Sequence, residues 1–270
     1  MDETTPTPTR MPVLFVGHGS PMNAIEDNEW SRAFRAIGEE LPRPRAVLAV
    51  SAHWWTRGSF LTGGTRPRTI HDFGGFPPAL YEVQYPAPGS PDLAARVQTI
   101  LAQATSPDAA VKDDWGLDHG SWSVLRHLMP AADVPVVQLS LDGQLSGKQH
   151  FELARALHQL RGEGVLILGS GNITHNLRDA MSRASSGNAA TPDWAEQFDT
   201  EVAQALRERD SRHLIAAWPD GQYARSAHPH PDHWFPLLYA VAATDDEDEV
   251  RFPVEGFDLG SLSMRAVRWG

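Results

Sequence analysis

Short runs of consecutive apolar residues recur along the chain, and three of them end in the same way. Residues 13–16, 46–50 and 165–168 are apolar throughout, and small residues follow each run. Continuous apolar runs of this length predict strands that are buried on both faces, as in parallel sheets. Each run leads within a few residues to a histidine, where we expect the strand to give way to a loop.

Segments with apolar residues at helical spacing lie between these strands. In residues 27–41, Trp30, Phe34 and Ile37 lie three or four positions apart with charges between them, which predicts an amphipathic helix. Alternating residues predict antiparallel edge strands over 250–269. The remaining predicted elements are a strand at 134–139 and helices at 92–104, up to 129, 150–161, 194–209, 212–217 and up to 243.

Strands that alternate with helices predict an α/β fold, a sandwich with a mainly parallel central sheet flanked by helices. No repeat or boundary divides the pattern, so we expect one domain at residues 11–270. The Thr/Pro-rich residues 1–10 are expected to form a disordered tail. Ligands of open α/β sheets bind beyond the carboxyl ends of the strands, which is where the three histidines fall.

The composition narrows the chemistry of any site. The chain has 270 residues and no cysteine, so a metal would be held by nitrogen and oxygen ligands. Its net charge of −11 argues against nucleic acid or an anionic membrane as a partner. No apolar run approaches a membrane-spanning length, and no signal peptide is evident, so we expect a cytoplasmic protein.

Twelve histidines are the most informative feature of the composition. A histidine in a turn has many structural roles, but His18, His53 and His175 all follow buried strands, which favours a metal site at that edge. His119 and His233 each follow an aspartate that could orient the ring. Neutral imidazoles with oxygen ligands suit zinc or iron(II). The histidines expected to be structural or exposed are His127, His150, His158 and His213.

A Gly/Pro-rich stretch at residues 63–89 predicts a functional loop, and its aromatic content favours an ordered one. Residues 72–85 of this stretch are the candidate lid over a substrate. The candidate site residues in this substrate loop are His71, Asp72, Phe73 and Tyr81. The chain lacks the lysine and glycine spacing of a phosphate-binding loop, the Gly-x-Ser-x-Gly elbow of serine hydrolases and the His-Glu-x-x-His motif of zinc proteases.

Six motifs occur in a recognisable order. They are Gly17-His18-Gly19-Ser20-Pro21-Met22, Ser51-Ala52-His53-Trp54, His71-Asp72-Phe73-Gly74-Gly75-Phe76-Pro77, Asp118-His119-Gly120-Ser121-Trp122, Gly171-Asn172-Ile173-Thr174-His175-Asn176-Leu177 and Asp232-His233. Together they resemble the DOPA 4,5-dioxygenase type of class III extradiol ring-cleaving dioxygenases. The resemblance runs from about Met11 to residues 260–264.

This resemblance implies a catechol substrate, O₂ as co-substrate and a non-haem metal bound by His18, His53 and His233. Iron(II) would serve catalysis, and zinc(II) could occupy the same site because it competes by affinity. The resemblance implies that His175 is the acid/base residue and that His119 lies in the same pocket. His233 falls where other class III enzymes place a glutamate.

Two other functions stay open from the residues alone. One is a zinc-dependent hydrolase that uses metal-bound hydroxide, with His175 or His119 as proton shuttle. The other is a non-catalytic protein that binds a metal or small ligand. The sequence leaves the identity of the catechol and the oligomeric state open.

Overall fold

A mixed sheet forms the centre of the computed structural model, which describes residues 10–104 and 109–270. Its strands are β1 (Val13–Gly17), β2 (Ala46–Thr56), β3 (Phe60–Thr62), β4 (Ala110–Lys112), β5 (Val136–Asp142), β6 (Val165–Gly171), β7 (Val250–Val254) and β10 (Ala266–Trp269). Two short strands, β8 (Phe257–Asp258) and β9 (Leu262–Ser263), lie between β7 and β10 in the sequence. The eight strands of the sheet run in the order β4-β3-β5-β2-β6-β1-β10-β7, and β8 pairs with β9 separately.

The three strands predicted from aliphatic runs are neighbours at the centre of the sheet. β6 pairs in parallel with β1 on one side and with β2 on the other, so their carboxyl ends meet at one edge. Successive residues of β1 point to opposite faces: Val13 and Phe15 enter one apolar cluster, whereas Leu14 and Val16 enter the other. This burial on both faces confirms the predicted mainly parallel α/β sheet.

Helices cover both faces of the sheet. They are α1 (Glu29–Glu40), α2 (Pro78–Tyr81), α3 (Pro91–Ala104), α4 (His119–Leu128), α5 (Gly147–Arg155), α6 (Leu177–Ser186), α7 (Asp193–Glu208), α8 (Ser211–Asp220), α9 (Ala224–Ala227) and α10 (Phe235–Ala242), with 3₁₀ turns at Pro21–Ala24 and Ala156–Glu163. α1 and α4 pack on one face through Trp30, Phe34 and Leu125. On the other face, α5 and α10 bury Leu153 and Leu238. None of the helices in the described residues is long and apolar enough to span a bilayer.

The prediction that β2 ends before His53 is wrong. The strand continues to Thr56, and His53 lies inside it. The pairing with β5 is irregular between Val50 and Trp55, where the two strands change register. Such an irregularity bends a strand and re-aims its side chains. His53 is therefore carried by a distorted strand rather than by a loop.

Three other features of the secondary structure differ from the sequence prediction. The helix expected at 150–161 is α5 followed by the 3₁₀ turn, and Gly164 ends that turn in the left-handed conformation. Of the predicted edge strands, β10 lies inside the sheet between β1 and β7. The short strands β3 and β4 were not predicted, because three residues are too few for a period to show.

A buried ion pair joins the 3₁₀ turn at Ala156–Glu163 to the segment before β7 and holds the residues that precede β1. Arg161 is 1% exposed and Asp248 is 3% exposed, and two parallel contacts of 2.5 and 2.7 Å join them. Arg161 also donates to the Met11 carbonyl, and Arg10 donates to Asp248. Residues 1–9 of the predicted tail lie outside the described residues. Burial alone would raise the pKa of Asp248, but the Arg161 guanidinium lowers it well below its usual range.

We expect Asp248→Asn to lower the free energy of unfolding by about 3–5 kcal/mol, because it leaves the Arg161 charge buried without a partner. Urea denaturation at pH 7 measures the change. Since the folded-state pKa of Asp248 is depressed, its contribution is present above the unfolded pKa of about 3.9 and is lost as the pH falls below it. Asp133→Asn removes an exposed ion pair with Arg43 and is the control, which should leave the midpoint of urea denaturation nearly unchanged. Equal midpoints for the two variants would contradict the prediction.

Candidate metal centre

Five imidazoles converge at the edge where β1, β2 and β6 end: His18, His53, His119, His175 and His233. The ring centroids of His18 and His53 are 5.0 Å apart, and His233 lies 5.1 and 4.9 Å from them. Ligand atoms of His18, His53 and His119 all lie within 4.8 Å of one another, close enough to share one ion. The five residues come from distant parts of the sequence, and the parallel sheet brings them together.

Backbone contacts fix the turn that carries His18. The His18 amide donates to the Gly171 carbonyl at 2.9 Å, which ties the turn to β6. The side chain of Asn23 donates to the His18 carbonyl at 3.1 Å. The His18 ring is 2% exposed. Its position is therefore determined by the ends of two central strands rather than by a free loop.

Two glycines in β6 let the segment that carries His233 lie directly against the strand. A Cβ at Gly171 would overlap the carbonyl oxygen of His233, and one at Gly169 would overlap that of Pro236. The Asn172 amide donates to the same His233 carbonyl at 3.1 Å. His233 thus reaches the edge of the sheet because no side chain separates its backbone from β6.

Gly171→Ala is expected to displace the turn that carries His233. The added methyl group overlaps backbone atoms of His233, which can move only if the turn moves. Overpacking of this kind typically lowers the free energy of unfolding by about 1–3 kcal/mol. We expect a lower urea midpoint and weaker zinc binding by the folded protein. Gly162→Ala is the matched control, because a Cβ there meets nothing within 4 Å. Native zinc affinity in Gly171→Ala would contradict the prediction.

The hydrogen bonds of Ser170 determine which nitrogen of His18 carries a proton. The Ser170 hydroxyl donates its one hydrogen to the Gly120 carbonyl at 2.5 Å. Its contact with His18 Nδ1, at 3.0 Å, must therefore be one in which the imidazole N–H donates. In the neutral ring this leaves His18 Nε2 with a free lone pair. That nitrogen lies 3.0 Å from His53 Nε2.

His233 shows the same arrangement around a carboxylate. Its Nδ1 donates to Asp232 Oδ1 at 2.8 Å, so Nε2 of the neutral ring carries the lone pair. Nε2 is buried and has no hydrogen-bond partner among the described residues. A carboxylate that holds one nitrogen and leaves the other for a metal is the usual arrangement of histidine ligands.

Burial keeps these rings in the neutral form that binds metals. It lowers the pKa of His18, His53 and His233 well below the usual range, and neighbouring imidazoles lower it further. Burial also lowers the pKa of His175 to about 4. Nitrogens about 2.1 Å from one ion at right angles lie about 3 Å apart, which matches the separation of His18 and His53 Nε2. The nitrogen donor set therefore fits zinc(II) or iron(II).

His175 lies flat against His233. The two ring centroids are 3.4 Å apart and the planes differ by 2°. His175 is half-buried, whereas His233 is 4% exposed, so His175 lies on the solvent side of the pair. Its backbone amide donates to the Ala227 carbonyl at 2.9 Å. A ring in this position can meet a molecule that enters the centre.

The predicted substrate loop lies beside His119. Phe73 packs edge-on against the His119 ring at 5.5 Å and contacts Tyr81, which is 38% exposed. His71 Nε2 donates to the Val83 carbonyl at 2.9 Å, which joins the two sides of the loop. The His71 ring also packs against Trp122 of α4. The structure therefore brings Phe73 to the centre and uses His71 to hold the loop.

Other histidines lie outside the centre. His127 Nε2 donates to the Asn23 carbonyl, and His228 Nε2 donates to the Ile173 carbonyl. His230 is exposed near Trp55. His150, expected to be structural or exposed, is buried with Nδ1 3.0 Å from the hydroxyl of Tyr239.

Sequence reasoning missed a buried polar network beneath His119. Asp118 is the N-cap of α4, and its Oδ1 accepts hydrogen bonds from the Ser51 hydroxyl at 2.7 Å and from the Ser121 amide at 3.1 Å. Gln138 contacts the other carboxylate oxygen. Burial raises the pKa of Asp118 to about 6. The capping spacing at Asp118 was visible in the sequence, but its partners on β2 and β5 were not.

Comparisons with known proteins agree with the fold. The family model described as the catalytic LigB subunit of aromatic ring-opening dioxygenase matches residues 12–261. The chain is 46% identical to a 4,5-DOPA dioxygenase extradiol of Escherichia coli K12, over 97% of this chain and 96% of the relative. It is 37% identical to one of Beta vulgaris, over 95% of each. The crystal structure of an uncharacterized protein of Escherichia coli K12 covers 97% of this chain, with a TM-score of 0.82 and 40% identity.

Proposed function

The chain belongs to the LigB family of aromatic ring-opening dioxygenases and is an extradiol dioxygenase, and we propose that it opens a catechol ring with O₂ at an iron(II) centre. Family membership favours this function over the zinc hydrolase and the non-catalytic protein that the residues alone left open. Relatives named for DOPA support a catechol that carries a side chain.

One observation carries the proposal. Nε2 of the neutral His18 ring carries its lone pair and lies 3.0 Å from His53 Nε2, and His233 Nε2 is buried without a hydrogen-bond partner among the described residues. A buried nitrogen without a partner is costly, and a cation shared by these three nitrogens would satisfy it. We assign His18, His53 and His233 as the residues that would hold the metal.

Iron(II), when bound, would supply the redox chemistry that joins O₂ to the catechol, which zinc cannot supply. Zinc would nevertheless compete for the same nitrogens, because it lies above iron in the affinity order. The metal found in a purified sample therefore does not identify the metal of catalysis.

We assign proton transfer to His175 and His119. His175 lies on the solvent side of His233, where it can take a proton from a substrate hydroxyl and later return it. His119 faces the same space from α4, with its ring centroid 3.8 Å from that of His53. His119 belongs to α4, whereas His175 lies in the loop between β6 and α6. Each ring can therefore act on a different oxygen of the substrate.

Phe73 provides an apolar wall on the side of His119. Its edge-on contact with that ring, and the neighbouring Tyr81 and Phe76, make this part of the loop a surface that suits an aromatic ring. This apolar surface would exclude water. It would orient the substrate ring by contact with the face of that ring, without a charged group.

Oxygen uptake tests the proposed function. The full-length protein is stripped of metal, loaded without air with iron(II), and then mixed in air with catechol, 4-methylcatechol or L-DOPA. We expect uptake of one O₂ for each ring opened and a yellow product, and neither with the zinc-loaded protein. Absence of uptake with every catechol, in protein shown to hold iron, would overturn the proposal.

A further inference from the structure

The carboxylate of Asp72 lies between two imidazoles of the centre. Its Oδ1 is 3.0 Å from His119 Nδ1, and its Oδ2 is 3.6 Å from His53 Nδ1. The Asp72 side chain is 18% exposed, although it belongs to a loop whose neighbouring glycines are exposed. The carboxylate therefore faces the histidines rather than the space where a substrate would bind.

The charge of Asp72 favours one tautomer of His53. A carboxylate beside Nδ1 attracts the N–H to that nitrogen, which leaves Nε2 with its lone pair. Without this charge, His53 could protonate Nε2 instead and donate to the free lone pair of His18 Nε2 at 3.0 Å. That hydrogen bond would occupy both nitrogens and compete with a metal ion.

Asp72 also holds His119 in place. Its Oδ1 accepts a hydrogen bond from the His119 backbone amide at 2.9 Å, at the first turn of α4. The same oxygen lies 3.0 Å from the ring Nδ1 without the geometry of a hydrogen bond, so Asp72 acts on the backbone of His119 through a hydrogen bond and on its ring through charge. A negative charge at a helix N-terminus is stabilising as well.

We propose that Asp72 is a positioning residue of the metal centre, which holds His53 and His119 with their Nδ1 atoms towards its carboxylate and keeps His53 Nε2 free for the metal. This inference rests on the proposed metal site and deepens it. It assigns to Asp72 a role towards the ligands, in place of the substrate contact expected from its position in the loop.

Cobalt(II) titration of the metal-stripped, full-length protein tests this role. Asp72→Asn keeps an oxygen that can accept the His119 amide, removes the charge and replaces the other oxygen with an NH2 donor. We expect Asp72→Asn to bind cobalt about 10–100-fold more weakly, with a changed visible absorption spectrum, because partners of this kind typically contribute that much to affinity. Asp72→Glu restores the charge and should bind more tightly than Asp72→Asn. Glu82→Gln removes a carboxylate from the exposed part of the same loop and is the matched control.

The outcomes separate this inference from the proposed function. Cobalt affinity of Asp72→Asn within about threefold of the native protein would overturn the positioning role. Equal affinities of folded Asp72→Glu and Asp72→Asn would also overturn it. If the asparagine variant does not fold, Asp72→Ser replaces it in both comparisons. If the native protein itself bound no cobalt, the proposed metal site would fail instead.

Discussion

Replacing His175 with alanine should lower turnover by about 10²–10⁴-fold while the metal stays bound. The ring lies outside the three proposed ligands and stacks on His233 at 3.4 Å, on the side open to solvent. Its removal takes away a proton acceptor but leaves the nitrogens of His18, His53 and His233 in place. Steady-state oxygen uptake by iron-loaded protein measures the loss, and metal analysis of the same sample measures occupancy.

The control for His175 is His213→Ala, which removes an exposed histidine from α8. It should keep native turnover and native iron content. The loss in His175→Ala should fall on kcat more than on KM, because the proton transfer occurs in the transition state. Near-native kcat in His175→Ala would show that another group moves the proton, and lost iron would show that His175 is itself a ligand.

His53→Ala should abolish metal binding rather than slow catalysis alone. His53 contributes one of two nitrogens that face each other at 3.0 Å, and its removal leaves His18 Nε2 without that partner. We expect affinity for cobalt(II) to fall by more than about 100-fold, beyond the loss typical of groups that only orient a ligand. Activity should disappear at ordinary iron concentrations.

His18→Ala should behave in the same way, and His119→Ala decides the ligand set. If His119 serves proton transfer, its alanine variant keeps the metal and loses turnover; if it is a ligand, the variant loses both. Full cobalt affinity in both His18→Ala and His53→Ala would contradict the metal centre altogether. Thermal unfolding of each variant checks that the fold survives.

The central part of the fold could be predicted because its cause is local in the sequence. Aliphatic runs at β1, β2 and β6 are buried on both faces, and a strand of this kind has few alternatives. Parallel pairing then brings their carboxyl ends to one edge. The convergence of His18 and His53 follows from those two facts.

Other parts depended on contacts between distant residues. His53 stays within β2 because pairing with β5 resumes at Trp55, which the composition of the segment does not reveal. Asp72 turns inward because its loop lies against the first turn of α4, across a gap of many residues. The periodicity of apolar residues carries no information on a contact between such distant residues. The sequence therefore predicted that Asp72 lies in the loop, but not that it contacts His119.

The resemblance of six motifs carried the identification further than periodicity did. The apolar runs alone placed His175 with His18 and His53 at the edge of the sheet and did not single out His233. Physical reasons for favouring His233 emerged only from its contact with Asp232 and from its buried Nε2.

The close approach of His233 to β6 has a consequence for how the centre takes up its ion. With only glycine between them, the turn and the strand share a backbone contact, and the turn has little freedom to move alone. The donor atoms are therefore ordered when the chain folds, and little conformational entropy is left to lose at binding. We therefore expect the empty and the metal-loaded protein to be nearly superimposable.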